Sequence, residues 1–167
     1  LVYDRKEDFI ASPTRHSGYI TVKLGAMKDG TLKALYLNAV LNTGAYACAG
    51  PDVTAVLGVT NISIYQIPNV MYDGLCVYTN TTTAGAMRGF GNPQGNFAVE
   101  STMDLMAEKL GMDSVALRLK NVMTPYAPWL PPYPCATVGL AECIERGAKQ
   151  IGWERRHGKM TGDKPYK

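Results

Sequence analysis

The residues best suited to chemistry lie together in one stretch, Thr81-Thr82-Thr83-Ala84-Gly85-Ala86-Met87-Arg88-Gly89-Phe90-Gly91-Asn92-Pro93-Gln94-Gly95-Asn96. Four glycines there let backbone come close to a bound group and admit positive φ. Arg88 adds a planar cation with forked donors, suited to oxo or phosphate oxygens. Phe90, set between Gly89 and Gly91, can offer a flat apolar face to a planar substrate. Asn92-Pro93 reads as a helix start, and a helix N-terminus presents unpaired N–H groups and partial positive charge to anions. The same residues also fit a tight turn in which Arg88 pairs with a carboxylate and Phe90 plugs the core.

Other chemically suggestive residues read as structural. His16 and His157, each beside an arginine, lack a second ligand at metal spacing and are expected at the surface. Glu100, Glu108, Glu142 and Glu145 sit on helical patterns without a nameable partner and read as solvated helix surface. Cys48, Cys76, Cys135 and Cys143 form no Cys-x-x-Cys pair that would hold zinc or an iron–sulfur cluster. Reduced thiols in a cytoplasm are the simplest expectation. Met103 and Met106 fall on an apolar stripe and read as core.

The elements that must position the loop follow from periodicity. Ile20, Val22, Leu24 and Ala26 alternate with Tyr19, Thr21, Lys23 and Gly25, Asp29-Gly30 turns the chain, and 32–41 returns as a strand apolar on both faces. A second hairpin is expected, with Ile62 to Ile67 as one strand, a turn at Asp73-Gly74, and Leu75 to Thr81 as the other. After Gly95 the period becomes helical. Val99, Met103, Met106 and Leu110 make one stripe, stopped by Gly111. Asp113 can cap a next helix buried through Val115, Leu119 and Val122, with Met112 and Leu117 as a hydrophobic staple. A third helix carries Leu140, Ile144, Ala148 and Ile151 and closes at Gly152, where Trp153 can fold back on the last turn. Strands first and helices after give an α+β fold, hairpins forming a sheet with about three helices packed on it.

The 167 residues suit a single domain, 1–167, able to bury roughly two thirds of its unfolded surface. Apolar residues at 46% and charged ones at 19% exclude disorder. A net charge of +3 with no basic block argues against nucleic acid as partner, and no apolar run approaches a membrane span. Residues 124–136 form a Pro-rich segment, read as a connector with aromatic anchors or as a ligand for a proline-recognising domain. Glu154 to Lys159 reads as a solvated turn. The first residues lack an initiator Met and a signal sequence, so the chain reads as an internal piece of a larger subunit.

Arg88-Gly89-Phe90-Gly91-x-Pro93-Gln94, then Glu100 and Asp113-x-x-Ala116-x-Arg118-x-x-Asn121, resembles the molybdopterin-binding large subunit of the xanthine dehydrogenase and aldehyde oxidase family of molybdenum hydroxylases. Tyr65-x-Ile67-Pro68-Asn69 and Arg15-His16 fit the same pattern, so the resemblance spans nearly the whole chain. It implies that Arg88 lies beside molybdenum, that Gly89 and Gly91 bring backbone to the cofactor, and that Phe90 packs on the substrate ring. It also implies hydroxylation with water as oxygen source, a glutamate acting as base, and electrons leaving through iron–sulfur clusters to FAD on other subunits or domains. Those subunits, the remainder of the large subunit and a planar small molecule would be its partners. The family's glutamate lies beyond this stretch, so no catalytic residue is assigned, and the chain alone is expected to be inactive. Purine-oxidising members carry an arginine where this sequence has Val56, which disfavours xanthine. A non-catalytic anion-binding module using the Gly-rich loop, or an interaction domain using the Pro-rich arm, is the alternative.

Overall fold

The computed structural model describes residues 1–125 and 136–157, the last two as backbone. Most of the Pro-rich connector and the end of the charged run lie outside the described residues. The elements, in chain order, are α1 (Arg5–Ala11), β1 (Gly18–Ala26), β2 (Leu32–Gly44), α2 (Gly50–Asn61), β3 (Asn69–Tyr78), α3 (Asn92–Leu110), α4 (Ser114–Asn121), α5 (Leu140–Ile151) and α6 (Trp153–His157). A three-stranded sheet, ordered β1-β2-β3, packs against α2 and α3, with α4 set on α3, so the fold is α+β.

The first hairpin forms as its alternation requires, β1 pairing antiparallel with β2 from Gly18↔Leu41 to Ala26↔Leu32. At its turn the Asp29 carboxylate accepts from the Thr31 amide (3.0 Å) and hydroxyl (2.9 Å). These bonds, the Thr31 amide first, hold its pKa down at about 2. In β2, Leu35, Leu37, Ala39 and Leu41 are buried, while the opposite face (Tyr36, Asn38, Val40) is only half-buried. One face is sealed and the other shielded, short of the full two-sided cover its apolar run suggests.

The expected second hairpin does not exist. β3 runs straight through Asp73-Gly74 and lies parallel to β2, from Ala34↔Asn69 to Gly44↔Tyr78. Parallel neighbours require a crossover, and α2, which no periodic stripe announces, supplies it. Asp73 is held inside the strand, its carboxylate accepting from the Tyr36 hydroxyl at 2.9 Å and its carbonyl from the Asn38 amide at 3.3 Å. Gly74 serves close approach: a Cβ there would stand 2.7 Å from the Thr54 methyl of α2. Nor is Ile62 to Ile67 a strand. Of these residues only Tyr65 makes a bridge, with Val122, although Tyr65 and Ile67 are both buried.

The core joins the sealed face of β2 to Val53 and Leu57 of α2, Val99, Met103 and Ala107 of α3, and Leu117 of α4. α3 begins and ends where Asn92-Pro93 and Gly111 place it. α4 is capped by Asp113, whose carboxylate accepts from the Ala116 amide at 2.9 Å. Its buried residues are Leu117 and Asn121, with Val115 and Leu119 half-buried. The Asn121 side chain explains its depth, since it bonds the Leu32 amide and the Gly30 carbonyl, both at 2.9 Å. α5 has no buried residue, and Ile151 on its stripe is 49% exposed. The Trp153 indole N–H donates to the Asp113 carboxylate at 2.7 Å. Among the described residues no helix is long and apolar enough to cross a membrane.

Candidate functional site

The loop from β3 to α3 is first laid down as backbone. The Ala84 amide donates to the Thr43 carbonyl and the Gly85 amide to Thr14, both at 3.0 Å, so the loop is tied to β2 and to the segment before β1. Two short turns follow, with the Phe90 amide on the Met87 carbonyl and the Asn92 amide on the Gly89 carbonyl, both at 2.8 Å. They require positive φ at three successive residues: Gly89 (91°), Phe90 (47°) and Gly91 (96°). Gly89 and Gly91 meet that demand without penalty; Phe90, with a bulky side chain, bears roughly 1–2 kcal/mol. A Cβ on Gly91 would also lie 2.5 Å from the Val53 carbonyl, so α3 starts hard against α2.

This backbone places the side chains unequally. Arg88 is exposed, and its guanidinium makes no hydrogen bond or ion pair among the described residues. The turn in which Arg88 pairs with a carboxylate is thus not what forms. Phe90 is half-buried, packed against the core and lining a narrow crevice with Arg15, His16, Val53, Met87 and Gly91. Gly89 is exposed and Gly91 buried. Gly91 stands at the N-cap of α3 and gives no side-chain cap, while the Asn92 amide is already taken by the Gly89 carbonyl and Pro93 has no N–H to offer. Arg88, Gly89, Phe90 and Gly91 thus make up the turn that leads into α3.

Two residues differ from their sequence reading. His16 is 2% exposed instead of lying at the surface, and its Nε2 has no partner among the described residues. Burial lowers its pKa and keeps the ring neutral. Glu100 is no free surface carboxylate: it accepts from the Tyr65 hydroxyl (2.8 and 3.0 Å) and from Arg118 Nε (2.8 Å). Burial and the adjacent carboxylate push the Tyr65 hydroxyl well above its usual pKa. The fixed partners leave Glu100 poorly placed to act as a base. Glu142 fits surface helix, paired with Arg146 at 2.6 Å in the open. Composition and spacing gave no sign of Arg15 and Gln94, which bind the loop; only the family pattern singled them out.

An exposed guanidinium on a turn of positive-φ glycines suits oxo or phosphate oxygens. No group of three or more His, Cys, Asp or Glu side chains is placed to ligate a metal among the described residues. These residues fit a metal carried on an organic phosphate-bearing ligand better than one held by side chains.

The chain matches the family described as the molybdopterin cofactor-binding domain over residues 1–122. It is 40% identical over 153 residues to the xanthine dehydrogenase molybdenum-binding subunit of Escherichia coli O157:H7, covering 91% of this chain and 20% of that one. It is 40% identical over 121 residues to the nicotinate dehydrogenase large molybdopterin subunit of Eubacterium barkeri, covering 72% and 28%. The aldehyde oxidoreductase structure from Desulfovibrio gigas superposes with a TM-score of 0.84 at 32% identity, over 94% of this chain and 18% of that one. The chain thus spans about a fifth of the length of such relatives. On its sequence, its fold and the composition of its loop, the chain belongs to the molybdopterin-binding large subunits of the xanthine dehydrogenase and aldehyde oxidase family.

Proposed function

We propose that this chain forms one wall of the molybdenum site in an oxidoreductase that hydroxylates an aldehyde or an aromatic heterocycle with water. The observation that carries this is the Arg88 guanidinium, without a partner among the described residues, on a turn of positive-φ glycines at a helix N-terminus with no side-chain cap. Arg88 offers its forked donors to oxo oxygens at the metal, and Gly89 and Gly91 bring backbone close to the cofactor. Phe90 presents its ring to a planar substrate. Molybdopterin, when bound, supplies the two-electron redox chemistry. Glu100 is committed to Tyr65 and Arg118, so the base comes from the subunit beyond this chain. Iron–sulfur and FAD subunits or domains then take the electrons. Free Cys48, Cys76 and Cys143 suit a reducing cytoplasm.

Val56 bears on the substrate. It lies on the same side of α2 as Thr60, whose hydroxyl bonds the Asn92 side chain at the start of α3. An apolar residue there gives no cation for a purine oxygen, which favours other heterocycles or aldehydes over xanthine. In the complete enzyme, Phe90→Ala should lower kcat/KM for a planar substrate about tenfold, about 1.4 kcal/mol, with molybdenum content kept. Parallel loss of metal and turnover would make Phe90 a structural residue. The isolated chain should bind no molybdopterin tightly and oxidise nothing in a dye-coupled assay; one equivalent of molybdenum after purification would count against the proposal.

A further inference from the structure

We propose that Arg15 and Gln94 form a clamp that positions the Arg88 guanidinium and the Phe90 ring, a role that rests on the loop being a wall of the molybdenum site. Arg88 has no side-chain partner among the described residues, so only its backbone determines where its cation stands. That backbone is held from outside the loop: Arg15 Nη2 donates to the Arg88 carbonyl at 2.7 Å. Arg15 Nη1 donates to Gln94 Oε1 at 3.4 Å, and Gln94 Nε2 donates to the His16 carbonyl at 3.1 Å. The circuit runs from the segment before β1 to the first turn of α3 and returns through the loop, across 73 to 79 residues of chain.

Each group in the circuit has a chemical reason. The Gln94 amide must accept from Arg15 and donate to His16 at once, which a carboxylate cannot do. Arg15 must reach two acceptors, which the forked guanidinium does and a single ammonium does poorly. The loop needs such a brace because positive φ at Phe90 is disfavoured, so a free loop would leave that conformation. The buried His16 ring, kept neutral by that burial, lines the same crevice as Phe90.

The test uses the complete enzyme and its cofactor-free form, with Arg15→Ala, Arg15→Lys and Gln94→Glu. In the cofactor-free protein, hydrogen exchange at residues 88–92 should quicken about tenfold in Arg15→Ala while β2 and the middle of α3 keep their protection. In the loaded enzyme, kcat should fall about tenfold with metal retained, and added guanidinium should restore part of it. Arg15→Lys and Gln94→Glu should lie between Arg15→Ala and wild type on both measures. Unchanged exchange at 88–92, or a lower unfolding midpoint with unchanged kcat, would overturn the clamp. If Arg15→Ala does not fold, Arg15→Lys decides by the same exchange measurement. Phe90→Ala run alongside separates the two ideas: quickened exchange with a silent Phe90→Ala removes the loop's role at the metal, and the reverse removes the clamp alone.

Discussion

Two arginines of the same sequence pattern are used in opposite ways. Arg118 is consumed by its surroundings. Its side chain is 16% exposed, Nε binds Glu100 at 2.8 Å, Nη1 binds Asp104 at 2.7 Å, and Nη2 reaches the Glu100 carbonyl at 3.2 Å. Burial opposes its charge, but the bonds to Asp104 and Glu100 outweigh that and raise its pKa. Arg88 stands exposed with its donors unspent among the described residues, while its carbonyl is pinned by Arg15. One guanidinium fastens α3 to α4 and to Tyr65; the other is held out by a strained turn. A cation whose donors are all satisfied within the fold has nothing left for a ligand, and this separates structural from chemical residues inside one motif.

The sharpest way to break the contrast is to remove each arginine and unfold the protein in urea. Arg118→Ala should cost about 2–3 kcal/mol, because Glu100 and the Tyr65 hydroxyl lose a charged partner in a half-buried place. Arg88→Ala should stay within about 0.5 kcal/mol of wild type. Comparable losses would mean that Arg88 too is structural. The next effect concerns the strained turn. Gly91→Ala adds a Cβ 2.5 Å from the Val53 carbonyl at a φ of 96°, and should cost about 2 kcal/mol or more. Gly111→Ala, at a φ of 64° with nothing within 4 Å, should cost about 1 kcal/mol, the conformational part alone. Equal costs would mean that α2 and α3 can part at little expense.

The smallest effect lies under the loop. His16 has its pKa lowered from 6.5 by burial, so as pH falls through 6.5 the unfolded chain binds a proton that the folded one refuses. Stability is therefore complete above that pH and declines below it. Unfolding midpoints measured across that range should show the decline in wild type and less of it in His16→Gln. A flat profile in wild type would mean that the ring is solvated.

How much of this was legible in sequence depends on whether the cause was local. The hairpin around Asp29-Gly30, the stripe of α3 and the Asp113 cap follow from neighbouring residues, and each stands where its pattern put it. The β2–α2–β3 crossover was hidden. α2 buries residues on several sides, with Gly50, Val53, Thr54, Leu57, Gly58 and Asn61 all enclosed, so it has no single stripe. Asp73-Gly74 looks like a turn, yet Gly74 is small because α2 passes over it. His16 and Glu100 were misjudged for the same reason: their environments come from residues far along the chain. The Gly-rich loop was visible because its demand for glycine is local, whereas the Arg15–Gln94 bracing joins residues 79 positions apart.

The contrast between the two arginines is tested most directly by turnover of Arg88→Ala in the cofactor-loaded complete enzyme, normalised to its molybdenum content. An unpaired cation serving the metal's oxygens predicts a fall in kcat of about a hundredfold, with metal retained. Wild-type turnover per molybdenum would contradict it and leave Arg88 a solvated surface charge.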